Sequence, residues 1–457
     1  MKTIKKVYIT IYVLALSCLL SCQKQLDTKP DVRLVVPTEL KDIQALLDNY
    51  VNINNRDIGS LETSADSYYV TDADYLAFAE QIRNMYAWKN ENIFTIGTIP
   101  SNNDWYLLYE VINIANNCID GLSKIDRTPK NAKEWDNIMG QALCLRAKSF
   151  LSAAFVWSLA YDDNTAATDP GIVLRLSSDF NIPSARASVK QTYEQVIRDF
   201  KEAIRLLDVN QLSVSRFSKP AAYGLLARTY LSMRNYPAAG LYADSCLKLK
   251  STLIDYNTFN AALTFPFAKF NAEVLFGQCL TLTAALNMSR AKIDSSFYRS
   301  YADNDLRKTL FFRNNNNGSY AFKGSYDESD KPFAGIATDE VYLMRAECYA
   351  RAGNISAAMT DLNTLLAKRI KTGTFSAITA TNPDDALNKV LTERKKELVF
   401  RNVRWMDIKR LNKEGANISL KRIISNETIV LPANSRRFAL PLPEEIIRLT
   451  GMPQNQY

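Results

Sequence analysis

The sequence predicts an all-α protein of tetratricopeptide-like helical pairs, with an irregular, loop-rich portion beside the helices. Three observations predict it. Only 15 glycines and 15 prolines occur in 457 residues, too few to punctuate a strand-and-turn protein of that length. Long apolar segments recur with the helical period of 3.6 residues. Two helical pairs also repeat each other. Tyr223, Ala227, Tyr230 and Ala239 are separated by four, three and nine residues, and Tyr342, Ala346, Tyr349 and Ala358 by the same steps. In such a repeat a small residue on the first helix lets the second approach closely, and large residues fill the groove around it.

The elements follow in chain order. Lys2, Lys5 and Lys6 precede an uncharged, mostly apolar run over residues 7–20, which reads as a secretory signal peptide and is too short to span a bilayer comfortably. The run closes on Leu19-Leu20-Ser21-Cys22, which resembles a bacterial lipobox with Cys22 as the lipidated residue. A cut before Cys18 shortens the apolar run and is disfavoured. Residues 1–21 are therefore expected to be the signal peptide, 22–37 the lipidated cysteine and a polar tether, and 38–457 a single domain. Helices are expected over 103–122, 139–158, 189–207, 220–233, 237–249, 339–351, 355–369 and 386–411, giving a frame over about 103–250 and 339–411. Pro237 falls at a helix start, and Gly353-Asn354 suits the positive φ of a helix end. Leu143, Ala147 and Phe150 mark a third, degenerate pair with 189–207, interrupted by an insertion over 161–188 that is expected to project to the surface. Residues 57–101 and 251–335 break the helical pattern and are the natural places for a ligand site. Residues 412–457 form a C-terminal segment.

The composition excludes several chemistries. The chain has no histidine, so no Ser-His-Asp or Cys-His relay and no histidine-ligated metal exists in it. The closest glycines, Gly318 and Gly324, are six positions apart, which removes G-x-G-x-x-G, G-x-S-x-G and the P-loop. Without the three leader lysines the 56 basic residues only mildly outnumber the 48 acidic ones, which gives no footprint for nucleic acid. Cys118, Cys144, Cys246, Cys279 and Cys348 are odd in number and lack C-x-x-C spacing; they read as small buried hydrophobes.

What remains is binding or carboxylate chemistry. With 23 tyrosines, 20 phenylalanines and 5 tryptophans, the chain is rich in rings that can stack on the flat C–H face of a sugar while neighbouring Asp, Asn and Arg bond its hydroxyls. The candidate ligand residues are Asp66, Tyr68, Tyr69, Asp72 and Tyr75, then Trp88 and Asn90, then Tyr298, Tyr301 and Tyr320, with Asp74 and Phe322 beside them. A glycoside hydrolase needs two acids held across a cleft; Asp66 with Asp72, or Asp327 with Asp330, can be imagined in that role, but 48 acids make such pairs common and catalysis is not expected. Calcium at the acidic loop around Asp327 is conceivable without EF-hand spacing. In the basic helix at 393–410, Glu397 faces Arg401 and Arg404 faces Asp407, so its charges are expected to satisfy one another locally. No catalytic residue, cofactor or metal is assigned.

Several stretches, in order, resemble the SusD/RagB family of nutrient-uptake lipoproteins of Bacteroidetes outer membranes: WYLLYEVINIANNCIDGL at 105–122, QALCLRAKSFLSAAFVW at 141–157, RASVKQTYEQVIRDFKEAIRLL at 186–207 and KPAAYGLLARTYL at 219–231. FNAEVLF at 270–276, DNDLR at 303–307, residues 340–369, TERKKELVFRNVRWMDIKRL at 392–411 and the closing 438–457, with PLPEEI and QNQY, complete the match. Arg401-Asn402 departs from the acidic residue and glycine of many members. The resemblance implies a SusD-like α-α superhelix with a loop-rich ligand-binding portion, and a non-catalytic surface lipoprotein that binds oligosaccharide or polysaccharide. It also implies a partner, a SusC-like TonB-dependent outer-membrane transporter. Peptide or another small nutrient as ligand, an envelope scaffold and a surface hydrolase are the rival expectations.

Overall fold

The computed structural model describes residues 38–94 and 103–457; the predicted signal peptide, Cys22 and the tether lie outside the described residues. Ten helices of eight residues or more stand among those described: α1 (Leu40–Leu47), α2 (Asp104–Leu122), α3 (Ala132–Trp157), α4 (Val189–Leu206), α5 (Lys219–Ser232), α6 (Tyr236–Leu249), α7 (Thr338–Arg351), α8 (Ile355–Leu366), α9 (Pro383–Glu397) and α10 (Arg404–Asn412). Polar caps start most of the long ones. The Asn103 side chain accepts from the N–H groups of Trp105 and Tyr106, and Ser188 forms a reciprocal capping box with Gln191, which satisfies amides that a helix start leaves unpaired.

The repeat is α5–α6 followed by α7–α8, and it extends beyond the residues that announced it. Asn235 and Asn354 cap the second helix of each pair, accepting from Ala238 and Ala357 N–H at 3.2 and 3.1 Å. Arg234 and Gly353, one position earlier, both take positive φ, 63° and 77°. Ala227, Ala239, Ala346 and Ala358 are fully buried where the helices cross. A Cβ on Gly240 would stand 3.0 Å from Cys348 Cβ, so α6 lies directly against α7 of the next pair. The degenerate pair is α3 with α4, but α3 begins at Ala132, two turns before the expected 139. All five described cysteines are free and buried.

Three expectations are corrected. The helix predicted over 386–411 is broken between α9 and α10, where Phe400 and Asn402 have φ of 56° and 61°. Asparagine tolerates this left-handed conformation better than most residues, so Asn402 fills a glycine-like position. The charges of this segment do not pair locally either. Glu397 accepts from Arg369 and Arg307, Arg401 binds Asp339, Arg404 binds Asp66, and Asp407 binds Arg394 and Arg410. Only Glu393 with Lys396 and Asp407 with Arg410 are neighbours on one helix. The 161–188 insertion also projects less than expected, because β2 (Pro170–Val173) pairs with β3 (Arg186–Ser188) and buries Ile172 and Val173.

Around the frame lie further two-stranded antiparallel pairs. β1 (Tyr68–Tyr69) pairs with β5 (Lys292–Ile293), β4 (Val274–Phe276) with β8 (Ile336–Ala337), β6 (Phe312–Asn314) with β7 (Tyr320–Phe322), and β9 (Leu420–Ile424) with β10 (Glu427–Leu431). Ser425 and Asn426 join the last pair with positive φ at both, as a two-residue type I′ hairpin requires. The two irregular segments are not separate. Tyr68, Val70, Phe78 and Tyr86 from the first pack with Tyr256, Phe267, Ile293, Phe312 and Phe322 from the second in one aromatic core, joined by Phe400 and Ile424.

Candidate functional site

The aromatic core presents one exposed edge that fits a ligand. Asp294 caps the short helix Ser295–Arg299, accepting from Phe297 N–H, and is itself tied to Ser67 through its N–H. That helix carries Tyr298 to the start of β7, where its ring stacks on Tyr320 with centroids 3.6 Å apart and planes 15° from parallel. Both rings are half-buried. Burial, then the hydrogen bond and charge interaction with Tyr320, push the Tyr298 phenol up to about 12, so it stays neutral at physiological pH. Lys308 Nζ stands 5.5 Å from the Tyr298 ring and pairs with the exposed Asp303 at 2.6 Å. The β6–β7 turn adds Asn314, Asn316 and Asn317, all exposed. Two stacked rings, four amides counting the half-buried Asn315, and one ion pair make a surface that stacks and hydrogen-bonds.

The other predicted residues divide by burial. Tyr69 is 38% exposed and lies opposite Lys292 across the β1–β5 pair. Asp72 accepts from Ser425 N–H at 2.8 Å, Asp74 pairs with Lys292 at 2.9 Å, and Tyr75 sits 6.0 Å from the Tyr86 ring. These form a second exposed rim on the same core. Tyr68, Trp88 and Tyr301 are buried, and each spends its polar atom on a backbone carbonyl, of Thr63, Ser64 and Lys396 respectively. They shape the core and offer no free face. Asn90 lies apart, in a cleft of about 210 Å³ with Asn92, Phe94 and Pro441–Glu445.

The carboxylate pairs are engaged elsewhere. Against burial, which alone would raise it, Arg404 and Lys395 hold Asp66 well below the usual carboxylate range; Arg404 meets it with two bonds of 2.7 and 2.8 Å. Asp327 pairs with Lys269 at 3.0 Å. Burial raises Glu62 and Glu273 to about 7, Asp104 to about 6, and also Asp361; all four are buried.

Sequence reasoning missed Arg422. Its guanidinium lies 4.1 Å from the Tyr86 ring centroid, 4.9 Å from Tyr68 and 5.2 Å from Trp88, and donates to the carbonyls of Tyr68 and Ala65. A buried cation against three rings fixes the first irregular segment onto β9. The alternating run through Leu420–Ile424 and Glu427–Leu431, broken by Ser-Asn, is a readable hairpin signal; the rings it would meet are not.

Residues 24–231 match the family described as starch-binding associating with outer membrane, and residues 294–441 match the SusD family. No curated protein matches significantly. Among solved structures, a SusD superfamily protein from Bacteroides thetaiotaomicron superposes with a TM-score of 0.72 at 21% identity, covering 92% of this chain and 100% of that one. A putative sugar binding protein from Bacteroides vulgatus gives 0.71 at 20% identity, covering 92% and 99%. A SusD-like carbohydrate binding protein from Bacteroides vulgatus gives 0.65 at 18% identity, covering 91% and 97%. At these identities the structures establish the fold.

Proposed function

Because the chain belongs to the SusD family, whose members are nutrient-binding proteins associated with the outer membrane, we propose that it captures oligosaccharide at the cell surface without catalysis and delivers it to a SusC-like TonB-dependent transporter. In this reading Cys22 carries the lipid anchor. The observation that carries it is the half-buried Tyr298–Tyr320 stack beside the exposed, amide-rich β6–β7 turn. Sugar rings need flat apolar faces and neutral hydrogen-bonding groups at once, and this edge supplies both. Two of the structures of similar fold are named as binding sugar or carbohydrate.

Isothermal titration of the mature protein against a broad oligosaccharide panel tests the reading, with peptides titrated in parallel. At least one glycan is expected to bind, and the Tyr298→Ala/Tyr320→Ala variant is expected to bind it about tenfold more weakly, about 1.4 kcal/mol. Binding of peptides alone moves the ligand class; release of reducing sugar by the purified protein refutes the non-catalytic role.

A further inference from the structure

The two most exposed large apolar side chains of the described residues, Phe180 and Leu212, are each 87% exposed. They sit on two loops at one end of the frame. The first loop runs along α2. Asn116 donates to the carbonyls of Arg175 and Ser177 at 2.8 and 3.3 Å, and the Asp120 carboxylate accepts from the N–H and hydroxyl of Ser178 at 2.8 and 2.6 Å. Arg175 in turn donates to the carbonyls of Asp179 and Ile182. The loop is therefore held in shape by its own hydrogen bonds while it keeps Leu176, Phe180 and Ile182 in solvent. The second loop joins α4 to α5 and exposes Val209 and Leu212. Asn137 pins it to α3, accepting from Asp208 N–H at 3.1 Å and from the Gln211 amide at 2.7 Å.

Asp120 lies in the last turn of α2 and Asn137 in the second turn of α3, so both loops flank the connection between those helices. That connection carries exposed cations, Lys124, Arg127 and Lys130, with Lys133 just beyond; Asp126 and Glu134 are exposed among them, Arg127 pairs with Asp136 at 2.8 Å, and Lys133 stands 3.9 Å from Asp208, which leaves Lys124 and Lys130 facing solvent. The chain also enters here. Ile43 of α1 packs 3.2 Å from where a Cβ on Gly121 would stand, and Cys118 Sγ lies 3.8 Å from the Ile43 carbonyl. Thr38 is thus within about 11 Å of the same end, and 15 residues separate it from Cys22, a reach of at most about 50 Å even fully extended.

We infer that this end of the bundle rests on a lipid surface. Phe180, Leu176, Ile182 and Leu212 enter the headgroup boundary, and Lys124 and Lys130 meet lipid phosphates. Short apolar protrusions flanked by lysines suit an interface that is soft, apolar below and anionic above. A lipidated Cys22 would hold that surface at high local concentration, so the proposal rests on the anchored reading given above.

Asn181→Cys, Asn210→Cys and Asn316→Cys each place one exposed thiol, since the other described cysteines are buried. The acylated full mature chain, labelled at each with an environment-sensitive fluorophore, is bound to vesicles of roughly three parts zwitterionic to one part anionic lipid, with brominated acyl chains as quencher. Quenching at 181 and 210 is expected to exceed that at 316, in the β6–β7 turn, severalfold. Adding Phe180→Ser and Leu212→Ser is expected to remove the excess. Equal quenching at all three positions overturns the proposal while flotation with the vesicles upholds the anchor. Equal quenching joined to protection of 181 and 210 by the transporter also overturns it, in favour of a protein partner. Loss of flotation of the unsubstituted chain overturns anchor and proposal together.

Discussion

In the repeated pairs α5–α8 small residues, Ala227, Ala239, Ala346 and Ala358, fill the crossings of adjacent helices, and the ion pairs there, Arg228 with Glu340 and Arg345 with Asp244 and Asp361, join helices of the same two pairs. In the aromatic core the side chains that meet come from opposite ends of the chain and include buried charge: Arg422 reaches Tyr68 across 354 residues, and Arg369 bridges Glu273 and Glu397, all three fully buried. The frame is held by period and close packing, so its order is local. Apart from the five-residue β9–β10 hairpin, the core has strands of only two or three residues, too short to hold themselves, and it is organised by arginines placed between carboxylates and rings.

The contrast can be broken at its strongest point first. Arg369→Met leaves Glu273 without its guanidinium and Glu397 with Arg307 alone, and unpairing a buried charge costs about 3–5 kcal/mol. Denaturant unfolding should show that loss, and hydrogen exchange should localise it to the aromatic core while α5–α8 stay protected. A uniform loss of protection would show that the two regions unfold as one.

Next in size is a pH dependence. Burial, opposed by the Asn402 N–H, raises Glu62 from 4.5 to about 7. Its folded-state value lies above the unfolded one, so the neutral form is favoured in the folded protein. Stability is fully present below about pH 4.5 and is lost as pH rises toward 7, by about 2–3 kcal/mol. Glu62→Gln should flatten that decline in a pH series of unfolding free energies; an unchanged slope removes Glu62 as its source.

Ala346→Leu sharpens the frame side. Overpacking a helix crossing costs about 1–3 kcal/mol, and the melting temperature should fall with little change in glycan affinity. The smallest effect is expected from Asn402→Ala. It forfeits the bond from Asn402 Nδ2 to the Ile58 carbonyl at 3.1 Å and puts alanine at positive φ, together about 1–2 kcal/mol. Asn402→Gly should lose less, because glycine accepts that φ freely.

Much of the frame was legible because a helix writes its packing into nearby residues. The spacing through Tyr223 and Ala227 predicted α5–α6, and Asn235 and Asn354 could have been read as matching caps. The exposed edge was half legible. Aromatic and polar residues marked the right segments, but Tyr298 and Tyr320 looked no different from the buried Tyr68 and Tyr301. Which ring faces out depends on partners such as Phe400 and Arg422, whose positions no periodicity reports. The break at 398–403 was hidden for the same reason: Arg401 and Arg404 leave their own helix for Asp339 and Asp66.

The sequence by itself determined that the chain is a helical-repeat protein without histidine chemistry, and it pointed to a lipidated leader, since these are properties of composition and local spacing. Only the tertiary structure decided that two irregular segments form one aromatic core, which tyrosines remain at its edge, and that the exposed apolar loops share one end with the chain's entry. Those outcomes rest on contacts between distant residues, where burial and charge pairing, rather than local propensity, set the geometry.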